Sequence, residues 1–348
     1  MNCFFAACEQ RDFPQYKGKP LIVGSPPDQR GVVCACSYEA RAFGVHSAMP
    51  SRTAKKACPN GIFVPPRMDV YRKESHAIMD ILRDCGGGLI EQVSVDEAYL
   101  DLSSLSEGEI DSALEAAAVL GQQIKDRITR ERQLTSSIGI GANKFLAKLG
   151  SDYKKPDGLT VIPERTKVQF LRPLPVETIH GVGRVTAESL HGWGLRTIGD
   201  IQDTERDLRL LVGSFAESLK RMSFGEDDRP LDFGSERKSI SAENTFLVDT
   251  DGRPELKAAL KELALDVAKT LSAHQTAAFT VQVKVRYSDF HTLTRQIRLQ
   301  EPVSSAVDLY RLACYLLARD KLVCRPLRLL GLGVSTFGLP SDQLSLNL

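Results

Sequence analysis

The stretch from Val93 to Asp101 limits the possible fold more than any other part of this chain. Valines alternate with polar residues in its first half, which is strand spacing, and an apolar face resumes in its second half. We therefore predict that Asp96 and Glu97 lie at the break between two short strands. Adjacent carboxylates among residues that favour burial repel each other and are costly to desolvate.

Two interpretations of this acidic pair stay open at this point. In the first, the pair lies in a solvated turn, which is a common place for adjacent Asp and Glu residues. In the second, divalent cations neutralise the pair, as in sites where two metal ions assist phosphoryl transfer. The second interpretation predicts that Asp96 and Glu97 are metal-binding and catalytic.

Composition narrows the class of protein. The 348 residues suffice for about two to four domains. With 42% apolar and 26% charged residues, the chain is ordinary for a soluble globular protein, and it has no apolar run long enough for a membrane span. No secretory signal is evident. The 8 cysteines lack zinc-site spacing, so we expect reduced thiols in a cytoplasmic protein.

The charge is unevenly distributed along the chain. The net charge is only +1, yet residues 237–338 carry 15 Lys and Arg against 10 Asp and Glu. The preceding part is therefore mildly acidic. A basic C-terminal third is consistent with nucleic-acid binding beside a metal site.

Helical and strand patterns alternate, which predicts an α+β or α/β core rather than a helical bundle. The chain begins directly in a helix, with no strand before it, which suggests a truncated or mis-started chain. The main predicted elements of the first 150 residues are strands at 21–24, 32–36, 93–95 and 136–141 and helices at 37–44, 69–84, 110–130 and 143–149.

Two sites have side chains suited to phosphate. Tyr38 and Arg41 lie three apart in a short predicted helix and so share one face, where the guanidinium can hold a phosphate chain. Lys155 lies in a turn before Pro156 and can meet terminal phosphates. The alternatives are a solvated surface arginine and a solvated basic turn.

The segment 174–190 reads as a helix, a tight Gly181-Val182-Gly183 hairpin and a second helix that begins near Arg184. Two glycines allow the backbone to approach a phosphate closely, and the following helix directs its N–H groups toward it. Such a hairpin binds DNA backbone without reading sequence. An ordinary glycine turn between helices is the alternative.

A polar segment at 224–238 reads as an interdomain linker, and the pattern beyond it is βαββαβ. Lys284 and Arg286 alternate with valines on one strand, and Arg295 and Arg298 fall on the next strand. An open polar sheet face with these basic residues suits a nucleic-acid backbone, although a merely solvated face is also possible. The last residues, 339–348, read either as a peptide motif that docks on a partner or as a frayed end.

Together these segments resemble the Y-family DNA polymerases of the bacterial DinB type. The resemblance runs nearly end to end, and the segments keep the family's order. The segments that carry it are CFFAACEQRD, SYEARAFGVHSAMP, SVDEAYLD, GANKFLAKLGSDYKKPDG, IHGVGRVTAESL and ERKSISAENTF.

The resemblance implies an α+β right-hand polymerase that performs low-fidelity translesion synthesis by two-metal phosphoryl transfer. It implies a monomer that works beside the nucleoid in the cytoplasm. The implied divisions are a palm at 1–9 and 67–164, fingers at 10–66, a helix-hairpin-helix thumb at 165–228, a linker at 229–237, a little finger at 238–338 and a clamp-binding tail at 339–348.

The resemblance also implies roles for single residues. Asp96 and Glu97 would hold two Mg²⁺ ions, and Phe5 would be the steric gate that selects deoxynucleotides. The implied dNTP contacts are Tyr38, Arg41 and Lys155; the implied contacts to primer-template DNA are Gly181, Gly183, Arg184, Lys284, Arg286, Arg295 and Arg298; and the implied sliding-clamp contacts are Gln343, Leu344, Leu346 and Leu348.

One departure from the family pattern concerns the start of the chain. The family has a strand ending in a third metal-binding Asp immediately before the position of Met1, and Asn2 stands where relatives often have an acid. We therefore expect weak primer extension from the chain as it stands. A catalytically impaired DNA- and clamp-binding protein is the alternative function, and a metal-dependent nuclease is a third.

Overall fold

The computed structural model describes residues 1–87, 89–105, 108–234 and 237–339. The chain divides into two compact units, Met1–Pro27 with Gly31–Gly234, and Asp28–Arg30 with Ser235–Leu348. The break at residue 234 falls inside the expected linker at 229–237. The finer division into palm, fingers and thumb stays a prediction. The expected clamp-binding residues Gln343, Leu344, Leu346 and Leu348 lie outside the described residues.

Helices and short strands alternate over about the first 160 residues, as predicted, and the rest of this unit, up to residue 234, is helical. Its sheets are small: one has three strands in the order Val33–Cys36, Leu21–Gly24, Ile62–Val64, and two further pairs join Ile90–Gln92 to Ala98–Leu100 and Ile138–Ile140 to Leu159–Val161. The elements of the first unit are α1 Phe4–Asp12, β1 Leu21–Gly24, β2 Val33–Cys36, α2 Tyr38–Arg41, α3 Ser51–Ala57, β3 Ile62–Val64, α4 Met68–Cys85, β4 Ile90–Gln92, β5 Ala98–Leu100, α5 Ile110–Arg132, β6 Ile138–Ile140, α6 Lys144–Tyr153, β7 Leu159–Val161, α7 Lys167–Leu171, α8 Arg184–Gly192, α9 Ile198–Asp203, α10 Arg209–Val212 and α11 Ala216–Ser223.

Separate apolar clusters hold the parts of this unit together. One joins α1, α4 and α5, and its members include Phe4, Ile78 and Ile124. On each of these helices the apolar residues recur at helical spacing and so form one face. A second lies under β1, β2 and α3. A third holds α6 to α11 together. The short elements of this unit are therefore stabilised by packing against these clusters rather than by their own length.

The second unit is a four-stranded antiparallel sheet with two helices on one face. Strand order is β10-β9-β11-β8, and the apolar side chains Val281, Val283 and Val285 of β9 are fully buried beneath the helices. The βαββαβ prediction is confirmed. The elements are β8 Ser239–Thr250, α12 Arg253–Ala273, β9 Ala277–Tyr287, β10 Thr292–Val303, α13 Ala306–Arg319 and β11 Leu327–Gly338.

Two local predictions were wrong. The predicted strand over 93–95 is a turn, since β4 ends at Gln92 and β5 begins at Ala98. The predicted helix before the glycine hairpin is only a 3₁₀ turn at Val176–Thr178, because the backbone becomes extended at Ile179 and takes a positive φ of +97° at Gly181. The short strands β3 and β7 escaped prediction because three-residue runs carry no clear period.

Two expectations about the whole chain can be compared with the structure. All eight cysteines are free thiols, as expected. None of the helices within the described ranges is both long and apolar enough to cross a membrane.

Candidate active site

The acidic pair lies in the turn that joins β4 to β5. These strands pair antiparallel with Gln92 opposite Ala98, and the amides of Val93 and Ser94 both donate to the carbonyl of Glu97 at 3.0 and 3.2 Å. The Ser94 hydroxyl donates to Asp96 Oδ1 at 3.0 Å. The turn therefore projects both carboxylates from the sheet edge, with 31% of the Asp96 side chain and 39% of the Glu97 side chain exposed.

Cationic groups surround these carboxylates. The α-ammonium of Met1 donates to the Asp96 carbonyl at 2.7 Å and lies 3.9 Å from Asp96 Oδ2. Lys148 Nζ donates to Glu97 Oε1. The pKa of the Met1 ammonium is lowered, mainly by burial. The charges of Asp96 and Glu97 raise this pKa, and those of Lys155 and Lys148 lower it. Lys148 Nζ also lies 3.6 Å from Asp152, which accepts from Lys155, so ion pairs connect Lys155 to the acidic turn.

The donor set of this turn suits Mg²⁺. That ion takes oxygen ligands and is commonly held by one or two carboxylates together with substrate phosphates and water. Asp96 and Glu97 supply such oxygens and remain accessible. Across the described ranges, no group of three or more Asp, Glu, His or Cys side chains forms a potential metal cage.

Phe5 lies on helix α1 and packs against the same apolar cluster as Val95 of this turn. Its ring stacks on that of Tyr71 with centroids 4.2 Å apart and an angle of 12° between the planes. The Tyr71 hydroxyl donates to Glu9 Oε1 at 2.7 Å, and Arg67 Nε donates to the same oxygen at 2.8 Å. Tyr71 is not among the predicted site residues, because its position on the apolar side of α4 is typical of an ordinary core residue.

Tyr38 and Arg41 share one face of α2, as their spacing predicted. The Arg41 guanidinium carbon lies 4.9 Å from the centroid of the Tyr38 ring. The hydroxyl of Ser37 accepts from the Ala40 amide and caps this short helix. The Tyr38 hydroxyl is buried and has no hydrogen-bond partner among the described residues. An unsatisfied buried hydroxyl beside a guanidinium is ready to bond an anionic oxygen.

Burial raises the pKa of Tyr38, Arg41 lowers it, and the charge of Asp152 on α6 raises it further. Asp152 also accepts from Lys155 and lies 3.6 Å from Lys148 Nζ. The structure therefore brings the Tyr38–Arg41 pair, Lys155 and the acidic turn together. Lys148 and Asp152 were missed, although their spacing of four on a helix is typical of an ion pair.

The glycine hairpin has two distinct glycines. Gly181 has φ +97°, and a Cβ there would lie 3.0 Å from the Phe215 ring. Gly183 has φ −83° and no atom within 4 Å of its Cβ position. Arg184 begins α8 with its side chain 90% exposed and paired with Glu188. The hairpin thus presents an open backbone and an exposed guanidinium to solvent.

The polar face of the second unit differs in one respect from prediction. Lys284 and Arg286 lie on its open face, and Arg298 joins them because it pairs with Thr280 of β9. Arg295 pairs with the fully buried Val283 and therefore starts from the helix-covered face. Placing both arginines on one face was wrong, since residues three apart on a strand point to opposite sides.

Comparison with known proteins decides the family. Residues 1–152 match the impB/mucB/samB family, residues 237–348 match its C-terminal domain, and residues 169–195 match the IMS family HHH motif. DNA polymerase IV of Halorhodospira halophila is 42% identical over 336 residues, which cover 96% of this chain and 93% of that protein. The chain belongs to the DinB-type Y-family DNA polymerases.

Other members of this Y family support the assignment. DNA polymerase IV of Listeria innocua is 40% identical over 96% of this chain and 93% of that protein. Among solved structures, a Y-family chimera of Dbh and Dpo4 matches with a TM-score of 0.84 at 29% identity, covering 97% of both chains. An insertion ternary complex of Dbh DNA polymerase matches with a TM-score of 0.68 at 28% identity, again over 97% of both chains. Membership in the Y family implies dependence on divalent metal ions.

Proposed function

We propose that this Y-family chain is a template-directed translesion DNA polymerase whose reaction takes place at the Asp96–Glu97 turn. The reaction joins the 3′-oxygen of a primer to the α-phosphorus of a dNTP and breaks the bond to the departing pyrophosphate. The observation that carries the proposal is the chain of ion pairs from Glu97 through Lys148 and Asp152 to Lys155, together with the Tyr38–Arg41 pair, on whose tyrosine the charge of Asp152 acts. The alternative of a catalytically impaired DNA- and clamp-binding protein is not favoured, because the relatives are DNA polymerases.

Each part of this site contributes a separate task. Asp96 and Glu97 would hold two Mg²⁺ ions, which when bound would neutralise charge on the triphosphate and favour the attacking oxygen as an anion. Arg41, Lys155 and the free Tyr38 hydroxyl would bind and orient the triphosphate. By orienting the triphosphate, these three side chains would lower the activation free energy of the reaction.

The proposal about metal binding can be tested by substituting Asp96. We expect Asp96→Asn to reduce primer extension in Mg²⁺ about a thousandfold, or roughly 4 kcal/mol of barrier, because a charged metal ligand is lost. Single-nucleotide incorporation on undamaged and abasic templates measures it. Asp80→Asn, an equally conservative change at a side chain that is 69% exposed, is the matched control. Normal extension by the Asp96 variant would contradict the assignment.

We also propose that Phe5 excludes ribonucleotides, because its ring is braced by the Tyr71 stack and cannot move aside easily. Phe5→Val should raise the ratio of ribonucleotide to deoxynucleotide incorporation efficiency by at least about tenfold. Competition between dCTP and CTP opposite one template guanine measures that ratio. An unchanged ratio would remove Phe5 from this role.

DNA contact is proposed for the glycine hairpin and for the open face of the second unit. The exposed backbone at Gly183 and the exposed Arg184 support the first contact, and Lys284, Arg286 and Arg298 support the second. A sliding clamp is the proposed partner of the tail at 343–348, on the strength of its sequence alone.

A further inference from the structure

A buried lysine on helix α5 makes an unusual set of contacts. Lys125 is only 5% exposed, on a helix that packs against β6 and β7. Its ammonium donates to Asp157 Oδ1 at 2.8 Å, to the Ser136 carbonyl at 3.2 Å and to the Gly158 carbonyl at 3.3 Å, and it also donates to the Asp157 carbonyl. A buried ammonium usually needs an opposite charge and several acceptors, and this one has both.

Most of these acceptors belong to one turn, between α6 and β7. Asp157 adopts φ +55°, in the left-handed region that non-glycine residues avoid. In that conformation the carbonyls of residues 157 and 158 both point at the ammonium. Gly158 is also held by the Ser137 hydroxyl at 3.1 Å and by the Ile138 amide at 3.0 Å. Lys125 therefore holds this turn through an ion pair with Asp157, and the hydrogen bonds of Gly158 to Ser137 and Ile138 hold the turn to β6.

The same turn carries Lys155, only two residues before Asp157. The residue between them is Pro156, whose ring restricts the backbone and so transmits a shift at Asp157 to Lys155. Lys155 donates to Asp152, and Asp152 lies 3.6 Å from Lys148 Nζ, which donates to Glu97. A chain of ion pairs therefore connects Lys155 to the acidic turn. Asp157, which Lys125 holds, is thus separated from Lys155, the proposed phosphate-binding residue, only by the restricted Pro156.

We propose that Lys125 is a positioning residue for nucleotide binding: by fixing the Asp157–Gly158 turn, it places the Lys155 ammonium where the triphosphate of the dNTP lies. The inference rests on the proposed function, because it requires that Lys155 binds the nucleotide. Lys125 itself stays behind the turn and touches no substrate. Loss of its charge leaves the Asp157 carboxylate and the carbonyls of Ser136 and Asp157 without this donor, and the turn shifts.

The test compares Lys125→Met, Lys155→Ala and the double variant in full-length protein, with single-nucleotide incorporation measured over a range of dNTP concentration. We expect Lys125→Met to raise the KM for dNTP about tenfold while kcat changes by less than about threefold. Because both residues act through one contact, the double variant should have the same KM as Lys155→Ala alone. Lys125→Arg, which keeps the charge, should recover part of the affinity.

A matched control separates positioning from simple stabilisation. Lys220 of α11 also donates to three carbonyls, those of Ile201, Gln202 and Thr204, at 2.7 to 3.0 Å. Its substitution by Met should lower the thermal midpoint but leave the KM for dNTP unchanged. If Lys125→Met does not fold, Asp157→Asn removes only the ion pair, and Asn tolerates a left-handed backbone. That variant should raise the KM about threefold.

The outcomes are distinguishable. A normal KM for dNTP in Lys125→Met, or in Asp157→Asn if the first variant does not fold, overturns the inference, whatever happens to thermal stability. Effects of Lys125→Met and Lys155→Ala that multiply in the double variant also overturn it, because the residues would then act independently. A normal KM in Lys155→Ala overturns the proposed role of Lys155 and, with it, the inference.

Discussion

Two buried carboxylates, Glu9 and Glu74, connect the helix that carries Phe5 to the helices behind it. Glu74 is 7% exposed and pairs with Arg11 of α1 at 2.8 Å and with Arg132 of α5 at 2.5 Å. Glu9 pairs with Arg67 in the same way. Buried ion pairs contribute little net stability over apolar packing, but removing one partner leaves an uncompensated charge. These residues therefore set the position of α1.

Substitution of Glu74 tests this at the residue scale. Glu74→Gln leaves Arg11 and Arg132 without their carboxylate, and we expect it to destabilise the first unit by about 3 kcal/mol at pH 7. Unfolding in urea, followed by the fluorescence of Trp193, the chain's 1 tryptophan, measures it. Glu115→Gln, at an exposed position of α5, is the control. Equal stability of the Glu74 variant and wild type would contradict the argument.

The same carboxylate predicts a pH dependence. Burial would raise the pKa of Glu74, but hydrogen bonds from Arg132 and Arg11 outweigh it, so its pKa lies below the ordinary value of 4.5. A lowered folded-state pKa means that the stabilisation is complete above about pH 4.5 and is lost as the pH falls through the folded-state pKa. We expect the urea midpoint of wild type to fall with acidification below pH 4.5, and that of Glu74→Gln to fall less steeply. Parallel profiles would contradict this.

At the scale of elements, the glycine hairpin before α8 combines two different constraints. Gly181 is required by its own backbone, because φ +97° is unfavourable for other residues and the Phe215 ring leaves little room for a Cβ. Gly183 has an ordinary φ and free space around it. The fold of the chain itself therefore requires glycine at position 181. Position 183 requires glycine only if a bound molecule approaches the backbone there.

The two alanine variants separate these reasons. Gly181→Ala should destabilise the first unit by about 1–2 kcal/mol. Gly183→Ala should leave the thermal midpoint unchanged but weaken DNA binding, by about tenfold if a phosphate contacts the backbone there. Trp193 fluorescence and anisotropy of a labelled primer-template measure the two properties. Wild-type DNA affinity in Gly183→Ala would argue against a phosphate contact at this hairpin.

For DNA binding by the whole molecule, the distribution of charge matters more than the net charge. The chain is nearly neutral, yet its C-terminal part has five more positive than negative charges, and part of this excess lies on the open sheet face. A phosphate backbone that meets such a face releases counterions, so affinity depends on salt. Arg298 and Arg286 are on that face, whereas Arg311 on α13 lies on the helical side with 75% of its side chain exposed.

Salt dependence should therefore identify the DNA-binding face. We expect Arg298→Gln and Arg286→Gln each to reduce the slope of log Kd against log salt concentration by about 1, because each removes one phosphate contact. Arg311→Gln removes the same charge from the helical side and should leave the slope unchanged. Titrations of primer-template DNA at several salt concentrations measure it. Equal slopes in all three variants would place DNA elsewhere.

The amino-acid sequence by itself determined most elements and the order in which they occur. Helices α4, α5 and α12 and the βαββαβ order were predicted because their periods extend over ten or more residues. Tyr38 and Arg41 were expected to share a face, and they do. The opposite directions of Arg295 and Arg298 also follow from strand period, since residues three apart on a strand point to opposite faces.

The tertiary structure alone decided which distant residues meet. The alternation over 93–95 is equally compatible with a strand and a turn, and the pairing of Gln92 with Ala98 selects the turn. The stack of Tyr71 on Phe5 and the bonds of Lys125 join residues 66 and 32 positions apart. Local patterns record only the neighbours of a residue along the chain. Contacts over such separations depend on how whole elements pack, and that packing is a property of the folded chain.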